Sequence, residues 1–223
     1  MKISKYLALG VASLGLVAAP VAYAATAGFD LEMDTSPATD LNGHTVNTGS
    51  RVVISNGIAT FPYVQPNTVS YGLEQLITIP DASDDSLDPG TSNVTIDVRY
   101  RTTHAFGNLV QKGQATTKGG EFKIQLPKGR VSCMFKTPTG TATAGSGTRV
   151  YDDGQWHDIH CVRTTASVTL FMDGVQVGKV NHANGDLNNS TPWSIGGKPN
   201  CDGTKVTCDY FAGDVDYVRM TKG

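Results

Sequence analysis

The sequence predicts an all-β fold: a two-sheet antiparallel sandwich of jelly-roll type. Three observations carry this. Short runs rich in valine, threonine, isoleucine and aromatics follow one another, as half-buried strands require. Turn-forming residues separate them at regular spacing. No stretch beyond the first residues sustains a helical period.

The runs appear in order as TSNVTIDVRY (91–100), GNLVQKG (107–113), EFKIQLP (121–127), GRVSCMFK (129–136), QWHDIHCVR (155–163) and SVTLFM (167–172). VQVGKV (175–180) and YFAGDVDYVRM (210–220) complete the set. In EFKIQL the alternation is plain, with Phe122, Ile124 and Leu126 on one face. Between SVTLFM and VQVGKV, Asp173-Gly174 is the signal of a tight hairpin, whose favoured turn wants positive φ at both positions. Lys128-Gly129 turns the chain after Pro127. The Thr/Gly/Ala stretch TPTGTATAGSGT (137–148) reads as a flexible surface loop. No internal repeat interrupts residues 25–223, which read as one domain large enough to bury a core without metals.

Residues 1–24 read as a secretory signal peptide. Lys2 and Lys5 lead an apolar run that ends in Ala22-Tyr23-Ala24, and cleavage is expected after Ala24. The apolar run is short for a membrane span, so a secreted protein with no membrane partner is expected. Removing the two leader lysines leaves 18 − 2 = 16 basic against 20 acidic residues, a formal −4. With no basic stripe, nothing points to nucleic acid.

Four cysteines in an exported chain read as two disulfides, with three connectivities open. The expected one joins Cys133 to Cys161 across neighbouring strands, and Cys201 to Cys208 within the loop CDGTKVTC. Asn93, Asn188 and Asn189 match glycosylation acceptors for a eukaryotic host.

DDGQWHDIHCVR (152–163) gathers two histidines, three aspartates, a tryptophan and a cysteine. In a strand, His157 and His160, three apart, point to opposite faces and cannot share a metal ion. No HExxH motif is present, and a catalytic zinc wants three protein ligands. The expected role of both histidines is structural.

The segment DGQWHDIHCVRTTASVTLFMDGVQVG (153–178) resembles the signature hairpin of laminin-G-like, concanavalin A-like lectin/glucanase jelly rolls. FAGDVDYVRM (211–220) is similar to the closing strand of those domains, and WSIGGKPN (193–200) to the strand before it. Residues 76–102 and 108–135 resemble the entry strands and central meander, so the likeness covers nearly all of 28–221. Two departures stand out. Arg99-Tyr100 lies near where tryptophan is usual, and the Cys133/Cys161 pair belongs to some bacterial, secreted members. The resemblance implies Trp156 as a scaffold residue and Trp193 as core. It also implies a structural calcium ion tying the first strand to the last, with Asp30 and Asp216 at the matching places. Asp214 and Asp216 are expected to share a face with Val218 and Met220.

This fold hosts binding modules, hydrolases and lyases, so residues must decide. A glycosidase needs paired carboxylates about 5–9.5 Å apart. The chain has three glutamates, Glu32, Glu74 and Glu121. Glu32 alone has carboxylates two positions away, Asp30 and Asp34, and these lie near the N-terminus rather than on a cleft strand. A lyase needs a base and a carboxylate neutraliser, and VRYRTTH offers Arg99, Tyr100, Arg101 and His104, although Tyr100 should face away from both arginines. No G-x-S-x-G elbow supports a serine hydrolase. The expected function is therefore a secreted, non-catalytic module binding an extracellular glycan or protein. A polysaccharide-active enzyme and a structural surface protein are the alternatives. Polar loops at 181–192 and 199–210 are candidate ligand contacts.

Overall fold

Val94, Ile96, Val98 and Tyr100 are buried while Thr95, Asp97, Arg99 and Arg101 are not, the period-2 pattern of a strand with one face on a core. The computed structural model describes residues 26–182, 185–201 and 208–223, apart from the side chains of residues 26 and 27. The expected signal peptide lies outside them. Among the described residues sixteen strands run in order: β1 Thr26–Glu32, β2 Thr39–Asp40, β3 Asn47–Thr48, β4 Val53–Ser55, β5 Ile58–Phe61, β6 Ile77–Ile79, β7 Val94–Arg101 and β8 Asn108–Lys112. Then follow β9 Glu121–Gln125, β10 Ser132–Thr137, β11 Gly140–Gly145, β12 His157–Arg163, β13 Ser167–Met172, β14 Val175–Asn181, β15 Trp193–Ile195 and β16 Gly213–Lys222. Helical structure among the described residues is confined to short 3₁₀ turns at 72–75 and 127–129.

Two antiparallel sheets form the sandwich. One has the order β14-β13-β12-β7-β16-β1-β2, with β5 added to β16 and β4 to β5. The other runs β11-β10-β9-β8-β15-β6-β3. Between them lies one continuous core. Trp193 is fully buried there, packed edge-on to Phe29 at 5.1 Å and tilted against Phe122 at 5.3 Å, and its Nε1–H donates to the Leu87 carbonyl at 2.8 Å. Each such apolar side chain taken from water stabilises the fold by about 1.5–3 kcal/mol. Lys112 is also fully buried, opposite Trp193 in the ladder. A buried ammonium needs partners, and its Nζ donates to Asp81 at 2.6 Å and to the Thr191 carbonyl at 2.8 Å. Asp88 lies 3.3 Å away, and burial raises its carboxyl above the usual range despite that neighbouring cation.

The Asp173-Gly174 hairpin forms as expected, with φ of 52° and 75°. Three expectations are corrected. Residues 137–148 are not a loop for most of their length: Gly140–Gly145 pair with β10 in a hairpin. The Thr141-Ala142-Thr143-Ala144 run alternates exposed threonine with buried alanine, a strand pattern disguised by small side chains. Second, Cys133 and Cys161 do form a disulfide, but between β10 and β12 of opposite sheets rather than across neighbouring strands. The sheets close on one another nearby. A Cβ on Gly178 of β14 would lie 2.4 Å from the Gly145 carbonyl of β11, so a side chain there would force them apart. Third, the register of β16 shifts between Val215 and Tyr217, a bulge at Asp216. It sits where β16 changes neighbours, pairing β5 through 213–215 and β1 from 217 onward. The extra residue turns Asp214 and Asp216 away from the face of Val218 and Met220, which are fully buried. The second disulfide joins Cys201 to Cys208, as expected.

Candidate functional site

The same change of neighbours opens a cleft at one end of the larger sheet. There β5 runs out at Phe61, β7 ends at Arg101, β16 begins at Gly213, and the turn through Gly154 closes the fourth side. The cleft has a volume of about 370 Å³, within the range of small-ligand sites. A smaller depression of about 140 Å³ adjoins it past Phe106, and Tyr63 and His104 line both.

Local chemistry positions each wall. The Thr102 hydroxyl donates to the Ala212 carbonyl at 2.6 Å and accepts the His104 backbone N–H at 2.9 Å, pinning the turn that follows β7. His104 then stacks on Tyr63, with ring centroids 4.5 Å apart and planes at 12°. Tyr63 is 55% exposed, a large apolar surface held by packing on one face rather than buried. Opposite stands an ion pair, Arg101 Nε to Asp214 Oδ2 at 2.7 Å, and the Thr60 hydroxyl donates to the other Asp214 oxygen at 2.6 Å. Arg101 and Arg99 hold their guanidinium carbons 4.9 and 5.6 Å from the Trp156 ring. Stacked aromatics beside a polar, ion-paired wall can take a flat ligand with one apolar face and a hydroxylated edge.

The residues expected to matter from sequence are distributed as follows. His157 and His160 do face opposite ways. His157 lies against the core residues Tyr100 and Tyr151 and contacts the carboxylates of Asp153 at 3.1 Å and Asp173 at 2.9 Å. His160 is exposed and meets Asp97 at 2.6 Å. Backbone and histidine hydrogen bonds hold the Asp153 carboxyl below the usual range. The lyase-like group is not assembled: Tyr100 is fully buried, its hydroxyl donating to the Tyr151 carbonyl at 3.2 Å, while Arg99 and Arg101 lie on the other face. Burial raises that phenol far above its ordinary value, the wrong direction for a base. Glu121 is buried beside Lys123 at 3.4 Å. Glu32 and Asp30 both take Arg219, which also lies over the Tyr217 ring at 4.1 Å. Burial keeps the Glu32 carboxyl above its usual range in spite of the arginine.

Asp30 and Asp216 are each held by an arginine of their own. Arg219 Nε donates to Asp30 at 2.7 Å, and Arg99 Nε lies 3.5 Å from Asp216. Among the described residues no group of three or more His, Cys, Asp or Glu side chains is arranged to hold a metal ion. Trp193 is core, as expected, whereas Trp156 is half-buried beneath the two arginines on the outer face. The polar loops 181–192 and 199–210 lie partly outside the described residues. Asn93 and Asn188 are exposed, but Asn189 is buried and donates to the Gly120 carbonyl at 3.1 Å, which leaves it no access to a modifying enzyme. Tyr63 and Thr60 have no place in the sequence reading. The signal was FPYVQP (61–66), an aromatic between two prolines at a strand end, where a side chain is displayed rather than buried.

Similarity to known proteins agrees with this architecture. Part of usherin from Homo sapiens is 28% identical over 109 residues, covering 47% of this chain and 2% of usherin. Sex hormone-binding globulin from Oryctolagus cuniculus is 33% identical over 75 residues, covering 34% of this chain and 19% of that protein. The chain thus spans a small part of these relatives. The solved structure of the botulinum neurotoxin serotype G binding domain superposes with a TM-score of 0.62 at 14% identity, covering 88% of this chain and 47% of that one, a likeness of fold alone. The family model described as the concanavalin A-like lectin/glucanases superfamily, of laminin-G type, matches residues 72–223. That match spans more than half of the chain and all of the core strands from β6 onward, and with the two-sheet topology it places the protein in this family: the chain is a laminin-G-like, concanavalin A-like domain.

Proposed function

We propose that the protein is a secreted carbohydrate-binding or adhesion module whose binding site is the rim cleft between Tyr63 and Arg101. The observation that carries this is the exposed Tyr63 ring, stacked on His104 and facing a hydrogen-bonding Arg101–Asp214 pair. Sugars present one C–H face and an edge of hydroxyls, and this wall pairs with both. One relative, a sex hormone-binding globulin, is named for binding, which supports a ligand-binding role. Two disulfides suit an oxidising, extracellular setting.

The test is a broad glycan array probed with the purified protein and with Tyr63→Ala. Capture of one glycan class, weakened about tenfold in the variant with the melting temperature unchanged, is the expected result. Equal capture by both proteins places the site elsewhere.

A calcium ion at Asp30 and Asp216 is proposed on the family resemblance alone. It would have to draw both carboxylates away from Arg219 and Arg99. The expected outcome is a rise in melting temperature when calcium is returned to chelator-treated protein, and its loss in Asp216→Asn. No rise in the unmodified protein removes the ion from the account.

A further inference from the structure

We infer that the rim cleft selects its ligand by charge: it takes an uncharged sugar presenting two vicinal hydroxyls and rejects sugars that carry sulfate or carboxylate. This deepens the reading above and rests on it.

The first observation is charge. Arg101 and Asp214 are the arginine and aspartate lining the cleft, no lysine or glutamate joins them among the described residues, and they are paired with each other at 2.7 Å. The next rung along the sheet, Arg99 with Asp216, is paired as well. An anionic ligand would meet a guanidinium already neutralised and a carboxylate at the same spot. That carboxylate would repel it, and the acidic net charge of the chain would not steer it in.

The second observation is unused hydrogen-bonding capacity, of both kinds and side by side. Arg101 bonds Asp214 through Nε, and its two terminal nitrogens make no other hydrogen bond among the described residues. Each oxygen of Asp214 accepts one hydrogen bond, from Arg101 or from Thr60, and a carboxylate oxygen can accept a second. A vicinal diol is the complement of this pair. One hydroxyl accepts from the guanidinium while its neighbour donates to the carboxylate. A sulfate or carboxylate supplies acceptors alone and leaves Asp214 facing a like charge.

The third observation is the platform. Tyr63, fixed by His104, offers an apolar face beside the pair and toward the same cleft. A pyranose ring lying on Tyr63 turns its hydroxylated edge to Arg101 and Asp214. These three side chains come from β7, β16 and the end of β5, so the site exists only because β16 takes β5 as its neighbour beyond the bulge.

The experiment follows backbone amide resonances of the ¹⁵N-labelled protein during titration with the methyl pyranosides of mannose, galactose and fucose, with galacturonate, and with a heparin-derived tetrasaccharide. Expected are saturable shifts around Tyr63, Arg101, His104 and Gly213 with at least one neutral pyranoside, insensitive to added salt and absent with both charged sugars. Arg101→Gln should weaken that binding about tenfold. Asp214→Asn should also weaken it, but it leaves Arg101 uncompensated and should newly admit galacturonate, a gain that misfolding cannot produce. If galacturonate or the heparin fragment shifts the same resonances of the unmodified protein, and added salt abolishes it, the charge rule fails while the rim site stands. If the sugars shift only resonances remote from Tyr63, or none, the rim site fails with it.

Discussion

At the scale of single residues, the outer face of the larger sheet is a set of matched charges, and its aromatics are placed to serve them. The Tyr217 hydroxyl donates to Asp158 at 3.1 Å while Arg219 covers its ring. Burial first, and then the Asp158 carboxylate, pushes its phenol from 10 up to about 12. A folded-state value above the unfolded one means that the contribution is fully present below pH 10 and is lost as pH rises toward 12. Tyr100 acts in the same direction, by burial in the core. The stability of the protein therefore falls along an alkaline limb, and Tyr217→Phe makes that limb shallower. Urea midpoints measured across pH 9 to 12, a range bracketing the shift, check this. An identical slope in the variant shows that folding does not raise the Tyr217 phenol in solution.

At the scale of elements, the β10–β11 hairpin shows how little chemistry a strand needs when its packing is right. Ala142 and Ala144 present methyl groups to the core and Thr141 and Thr143 present hydroxyls to water. Ala142→Asp is expected to cost about 3–5 kcal/mol, since it buries a charge with no partner. Thr143→Asp, one residue on, changes stability by less than about 0.5 kcal/mol. Chemical denaturation of the two variants reads the register directly, because a loop would treat both substitutions alike. Along the same edge, Gly178 lets β14 approach β11 where the sheets close on each other. The β16 bulge is the other element-level device, re-aiming two aspartates by one inserted residue.

At the scale of the whole molecule, the Cys133–Cys161 bridge fastens one sheet to the other through the core, closing 28 residues of chain. Its chief effect is on the unfolded state, whose freedom it restricts. For a loop of this length the chain-entropy relation gives about 3–4 kcal/mol. The double variant Cys133→Ala/Cys161→Ala is expected to lose about that much in guanidinium denaturation while keeping its strand content by circular dichroism. A much smaller loss means that the unfolded chain is already compact around this pair. Cys201–Cys208, seven residues apart in sequence, lies beside Ser70 and does not join the sheets.

Legible in the sequence were the strand-rich class, strands β7 to β10, β12 to β14 and β16, the Asp173-Gly174 turn and the opposed directions of His157 and His160. Each of these is local: it follows from two-residue periodicity, from the φ a turn demands, or from parity along one strand. Short strands in the first third, β2 to β4, carried too few residues for a period to register. What the tertiary structure alone decided is non-local. No periodicity in β16 reveals that it exchanges β1 for β5 midway, and that exchange creates the bulge which overturned the expected direction of Asp216. The cleft arises at the same place, from Tyr63, Arg101 and Asp214, which are 38 and 113 residues apart along the chain and adjacent only in the fold. Parity along one strand cannot show which other strands border it, and this binding site is made at that border.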